Sequence, residues 1–261
     1  MNKFKVEHRK LYNFLCLVLS LLLGLVIWEL ISRIPDIGSV IVGPGKTFKA
    51  LFSNMKSGYL LVQIKASFIR VLLGFLLGFA CSIPVAFLLG WYESVRVLVE
   101  PWIQFFRTIP PIALIPLVIA LFGIGTSAKV AIIFFAVFLT MVITIYQGVK
   151  NVDFTLIKAA KVFDATDGQI FLNVVVPATI PSIFTAIRLG LATALTTLVA
   201  AELTGSDTGL GTMIQQAGMY FRMDVVLMGI LVIGIIGFIL DKFVLLLEKK
   251  FSSWQEVKDN A

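Results

Sequence analysis

The sequence predicts an all-α polytopic membrane protein: six transmembrane helices, with a pair of polar helices between spans four and five. Three observations carry that prediction. Of the 261 residues, 59% are hydrophobic and only 14% are charged. A soluble core of this length cannot hide so much apolar surface, so most of it must face lipid or other helices. The apolar residues gather into six runs long enough to cross a bilayer, at 11–31, 62–89, 98–122, 128–146, 180–203 and 225–247. Finally, a polar-bearing stretch, LIKAAKVFDATDGQIFLNVVVP at 156–177, interrupts these runs in the C-terminal half.

Taken in order, MNKFKVEHRK and the run behind it superficially resemble a signal peptide. The run is too long for a signal core and no small-residue cleavage site follows, so it reads as an uncleaved first span. His8, in that basic tail, reads as solvated or in contact with headgroups. Cys16 and Cys81 both lie in apolar runs, which argues against a disulfide framework or a metal site. After a Gly-Pro-Gly break at 43–45, Phe48, Leu51, Phe52 and Met55 recur at helical spacing while Lys46, Lys49 and Lys56 point elsewhere. This suits a helix lying in the outer membrane interface and equally an ordinary connecting helix. In span two, Arg70 is expected to snorkel toward the outer surface.

Span three contains Pro110, Pro111 and Pro116. Each proline removes a backbone donor, and an adjacent pair must disturb the helix. Broken backbone at membrane depth is tolerated against protein or a water-filled cavity, so the span is expected to face the interior of an assembly, a plain kink being the other reading. Arg107 lies about 15 Å along this span from Leu98, at about 1.5 Å per residue. Its planar fork suits carboxylate, sulfonate or nitrate oxygens. It is expected to line a path together with Gln104, Thr108, Pro110 and Pro111. Pairing with Glu100, capping of broken carbonyls and snorkelling compete with that reading. Arg188 sits shallower in span five. Glu202, beside Thr204 and Ser206, could help close the outer end of a path.

An even number of spans leaves both termini on one side. Twelve basic residues fall on that side against seven on the other, which makes it cytoplasmic and puts the 148–176 loop there. The chain then divides into residues 1–59 (tail, first span and interfacial helix), 60–247 (the body that holds the remaining spans) and 248–261 (a cytoplasmic tail).

Within the loop, Asp153 can cap a helix in which Leu156, Ala160 and Phe163 share one face while Lys158 and Lys161 take the other. Thr166-Asp167-Gly168-Gln169 has the form of a capping box starting a second short helix, 170–176. Pro177 is expected to turn the chain into span five. Ala159 and Ala160 would let a partner surface approach closely, yet alanine also simply favours helix. Spacing alone leaves a docking helix and a passive connector open.

There is no Gly-rich phosphate loop, H-E-x-x-H, nucleophile elbow or paired His/Cys ligand set. The chain is therefore expected to be no enzyme and to bind no metal or cofactor of its own. No basic patch interleaved with exposed aromatics suggests nucleic acid, and no inverted repeat is evident.

The 156–177 segment resembles the E-A-A-x3-G-x-n-I-x-L-P coupling segment of type I ABC importer permeases, through Ala159-Ala160, Asp164-Ala165 and Val176-Pro177. Further segments agree in order over most of the chain: GPGKTFKALF, SFIRVLLGFLLGFACSIPVAFLLGW, EPWIQFFRTIPPIALIPLVIALFGIG and AAELTGSDTGLGTMIQQA. The third is similar to the branch handling nitrate, taurine, aliphatic sulfonates and thiamine-precursor-like pyrimidines.

The resemblance implies a bacterial cytoplasmic-membrane permease that imports a small anionic or zwitterionic solute. It implies a homodimer of permeases, two cytoplasmic ABC ATPases using ATP and Mg2+, and an external solute-binding protein. Leu156, Lys158, Ala159, Ala160, Phe163, Asp164, Ala165 and Pro177 would form the coupling segment, and Arg188 resembles an arginine found in permeases of many substrates. Two positions depart from the pattern. Lys158 replaces the family's glutamate, and Asp164 replaces a glycine whose turn permits positive φ. A gradient-driven secondary transporter using Arg107 and Glu202, and a non-transporting membrane scaffold, are the competing readings.

Overall fold

The computed structural model describes residues 3–251, with side chains described from Tyr12 onward except at residue 13. The surroundings of His8 and the tail beyond residue 251 lie outside the described residues. The helices in chain order are α1 (Lys3–Ser32), α2 (Pro44–Lys56), α3 (Tyr59–Trp91), α4 (Glu93–Thr108) and α5 (Ile115–Phe122). They continue as α6 (Thr126–Lys150), α7 (Phe154–Val162), α8 (Asp167–Ile170), α9 (Val176–Glu202), α10 (Leu210–Met219) and α11 (Met223–Phe251). The chain divides into two compact units, Met1–Leu61 with Met213–Leu231, and Val62–Thr212 with Val232–Ala261.

In the first unit, the apolar stretch Phe14–Ser32 of α1 buries none of its residues within the chain, as a lipid-facing span would. The chain then turns back, and the Trp28 indole N–H donates to the Val42 carbonyl at 3.0 Å. Extended Gly43 and a proline in the first turn start α2, where the missing donor costs nothing. Thr47 and Ala50 of α2 are buried, while Phe48, Phe52 and Met55 are exposed. That is the split expected of a helix turning an apolar face to the membrane interface.

The second unit is organised around α6, whose buried side chains include Ile133, Val137, Met141 and Ile145. Lipid offers helices no hydrophobic reason to associate, so close packing of small residues does the joining. Gly74 and Gly78 of α3 illustrate this: a Cβ at either would come within 2.6 Å of Ile133 or 2.8 Å of Val137. On its other side α6 meets α9, whose Ala186, Ala194 and Leu198 belong to the same buried cluster.

Two expectations are corrected here. The single span 98–122 is a broken pair, Glu93–Thr108 and Pro111–Phe122, bent by 90°. Pro110 holds Ile109 extended at φ −80°, ψ 117°, and Pro110 itself is extended at ψ 129°. A residue before proline is driven out of the helical region, and two in succession turn the chain. Pro116 breaks nothing, because it falls in the first turn of α5. The second correction concerns Pro177. Instead of a turn, a π-helical turn at Phe171–Val175 carries α8 into α9, and Asp167–Glu202 forms a 36-residue span. Pro177 sits in the first turn of α9, and the widened turn before it absorbs its missing N–H.

Candidate functional site

The segment 153–170 is built from local signals. The Asp153 carboxylate accepts the Thr155 N–H at 2.8 Å and starts α7. At the far end Asp164 stands at φ +55°, the Asp164 N–H donates to the Lys161 carbonyl at 3.0 Å, and the Ala165 N–H to the Ala160 carbonyl at 3.2 Å. This pair of bonds satisfies the last carbonyls of the helix and normally places glycine at the left-handed position. The positive φ expected where the family has glycine is therefore present, on an aspartate. Thr166 and Gln169 form the expected capping box, with the Thr166 N–H donating to Gln169 Oε1 at 2.8 Å.

The faces of α7 differ from expectation. Ile157, Ala160 and Ala165 pack against the core of the unit. Leu156 and Phe163, expected beside Ala160, point away from it. Leu156 is 50% exposed, Phe163 84%, and they are joined by Phe154 at 64% and Val162 at 81%. An α7 turned by its caps and by the Ala165 contact brings Ala160 inward and leaves Ala159 on the outer side. Lys158 sets its ammonium 4.9 Å from the centre of the Phe154 ring, and Lys161 is exposed. Apart from Ile157, Ala160, Ala165 and Ile170, the large apolar side chains of the segment stay exposed among the described residues.

At the broken pair, Gln104, Arg107, Thr108 and Pro110 are exposed and Pro111 is partly so. Thr108 Oγ1 donates back to the Phe105 carbonyl at 2.7 Å. Arg107 does not pair with Glu100: the Glu100 carboxylate accepts from the Tyr146 hydroxyl at 3.2 Å. Among the described residues no side chain or carbonyl holds the Arg107 guanidinium. The same helices expose Val97, Leu98, Trp102 and Leu117.

The end of α9 is of another kind. Glu202 is wholly buried and Arg70 is 6% exposed. Arg70 Nη1 donates to Glu202 Oε1 at 2.6 Å and also to the Thr208 carbonyl at 2.6 Å. Arg70 therefore does not snorkel, because a full ion pair inside the protein holds it. Ser67 Oγ donates to the same carboxylate at 2.8 Å, and the Gly211 N–H at 2.9 Å. Ser67 in turn accepts from the Leu210 N–H at 2.8 Å, and Gln63 Oε1 from the Gly209 N–H at 2.7 Å. Gly209, at φ +134°, has the Glu202 carboxylate where a Cβ would stand. Nearby, buried Lys129 donates to the Gly125 and Gly205 carbonyls at 3.2 and 3.1 Å. The result straps the 203–212 crossing to α3 and α6 through polar groups that satisfy one another. Midway along α9, Arg188 Nε meets Asp241 Oδ1 of α11 at 2.7 Å, with both side chains 39% exposed.

Gln63, Ser67, Lys129 and Asp241 were not expected as partners. The available signal was opposite charge inside apolar runs: Arg70 with Glu202, and Arg188 with Asp241.

Five helices long and apolar enough to cross a membrane, a sixth candidate span broken at Pro110 and a capped helix ahead of α9 accompany the match to a known family. Residues 74–253 match the binding-protein-dependent transport system inner membrane component family. The chain belongs to that family. The permease is 43% identical over 239 residues to an ABC transporter permease protein of Brucella abortus, covering 92% of this chain and 95% of that one. It is 37% identical over 192 residues to the taurine transport system permease protein of Escherichia coli, covering 74% and 70%. Its fold is similar to that in the inward-facing MetNI methionine ABC transporter, with a TM-score of 0.67 at 19% identity over 74% of the permease and 95% of that chain. The permease is thus an inner-membrane ABC transport subunit with an importer-type helical fold.

Proposed function

We propose that the permease, paired with a second copy of itself, forms the path of an ATP-driven importer for a small anionic or zwitterionic solute. The exposed apolar edge of α7 carries the proposal. Phe154, Leu156, Val162 and Phe163 stand on a helix whose ends are fully capped by its own chain, so their exposure is not fraying. Such an edge, flanked by Lys158 and Lys161, suits insertion into a groove on a soluble ATPase. In this reading both termini and α7 are cytoplasmic, two ATPases hydrolyse ATP with Mg2+, and an external binding protein delivers the solute. The chain itself carries no ATP-binding motif and contributes no catalytic residue.

ATPase closure would move α7, and through Ile157, Ala160 and Ala165 that motion would reach the buried cluster of the unit. Arg107 would offer one guanidinium per subunit to the anion. Similarity to a taurine permease supports an anionic or zwitterionic cargo. Glu202 already accepts three donors within its chain, which leaves it unsuited to carry a proton or cation in a gradient-driven cycle.

The test reconstitutes the permease in proteoliposomes with its ATPase and binding protein. ATP hydrolysis should rise with loaded binding protein, and uptake should stop when the ATPase is inactivated. Arg107→Ala should raise the KM for a sulfonate-type anion while leaving the amount of folded protein unchanged. Uptake that persists without ATP hydrolysis would overturn the reading.

A further inference from the structure

The first unit contains a hollow of about 570 Å³ between the polar side of α2 and the turn that joins α10 to α11. Its lining includes Lys46, Lys49, Ser53, Asn54, Arg222 and Asp224. Three cations thus surround one carboxylate. Among the described residues Lys46, Lys49 and Arg222 form no ion pair, although Asp224 lies in the same wall.

Depth identifies the solvent the hollow meets. It opens where the apolar stretch Phe14–Ser32 has just ended and where the span Met223–Phe251 begins, the level at which a bilayer changes from acyl chains to headgroups. The side chains around it suit that level. Phe221, in the wall of the hollow, is 84% exposed, and Met219 and Tyr220 just before it in the chain are 68% and 79% exposed. Exposed aromatic side chains at a span end belong to the membrane interface. Phe221 is held at φ +54°, a conformation that bulky residues avoid. The Arg222 N–H fixes it there by donating to the Ala217 carbonyl at 2.8 Å. This strained turn sets the Phe221 ring and the Arg222 guanidinium side by side at the rim of the hollow.

We infer that this hollow binds the phosphate headgroup of an anionic phospholipid, with Lys46, Lys49 and Arg222 as its ligands. Ser53 offers its hydroxyl toward the glycerol, and the exposed Phe221 ring lies against the acyl chains. An acidic loop of a soluble protein would meet the same charges but would gain nothing from an exposed Phe221 in the wall. Asp224 moderates the site, so a doubly charged free anion has no advantage over a phosphodiester.

Native mass spectrometry of the full chain in detergent tests the inference, with phosphatidylglycerol and phosphatidylcholine of identical acyl chains as probes. Three cations near the surface predict that phosphatidylglycerol binds at least about tenfold more tightly than phosphatidylcholine. The triple variant K46A/K49A/R222A should bind the two lipids alike with an unchanged thermal midpoint. Asp224→Asn, which removes the one opposing charge, should tighten phosphatidylglycerol binding whether or not the triple variant folds well. Retention of the preference in the triple variant, or no gain in Asp224→Asn, would overturn the assignment. So would displacement of the lipid by inorganic phosphate, which would make this a free-anion site. Equal binding of the two lipids to the wild type, with an acidic peptide captured instead, would give the hollow to a soluble partner.

Discussion

The far end of the helix Asp167–Glu202 and the short helix α7 that precedes it solve opposite problems. At Glu202 every strong polar group finds its partner within the chain, and the carboxylate is wholly buried. At α7 the backbone is equally well satisfied by its caps, yet Leu156, Val162 and Phe163 stay at least half exposed among the described residues. A buried ion pair contributes little net stability, but breaking one is costly, so the Glu202 centre serves to fix a unique geometry for the 203–212 crossing. An uncovered apolar edge does the reverse, since it contributes little until something binds. Self-sufficiency marks the part of this permease that holds its shape, and the exposed side chains of α7 mark the part proposed to meet a partner.

Substitutions can break this comparison at either end. Glu202→Ala leaves the Arg70 guanidinium buried without its partner and should destabilise the permease by about 3–5 kcal/mol. Thermal unfolding of the purified protein checks this. A loss no larger than that of a surface change would mean that the centre is not self-contained.

Next in size is the contrast between neighbouring alanines. Ala160→Trp forces an indole into the packed side of α7 and should cost about 1–3 kcal/mol. Ala159→Trp should stay within about 0.5 kcal/mol of wild type while obstructing ATPase capture. Equal stability losses in the two variants would erase the assignment of faces. The smallest effect is a gain. Asp164→Gly relieves the left-handed strain and should stabilise α7 by about 0.5–1 kcal/mol, read as a rise in the thermal midpoint.

Much of α7 and α8 was legible in the sequence because caps act over three or four residues. Asp153, Thr166 with Gln169, and the strain at Asp164 all follow from nearest neighbours along the chain. The break at Pro110 and Pro111 was also legible as a disturbance, but its 90° bend was not. That angle depends on what α4 and α5 pack against. Which alanine faces inward escaped for a related reason: one residue turns a helix by about 100°, and the inward direction is set by tertiary contacts. Arg70 and Glu202 lie 132 positions apart, so only their opposite charges in apolar runs hinted that they meet. The effect of Pro177 does not follow from the preceding residue alone, because a π-helical turn accommodates the proline.

In the proposed reading the outer side of α7 seats the ATPase without contributing to the fold. Its most direct test is the equilibrium affinity of the ATPase subunit for reconstituted permease, wild type against the double variant L156A/F163A, with thermal midpoints measured alongside. Loss of a few exposed apolar anchors should weaken binding by at least about tenfold and leave the midpoint unchanged. Wild-type affinity in the double variant, or a midpoint that falls as far as the affinity, would contradict the account.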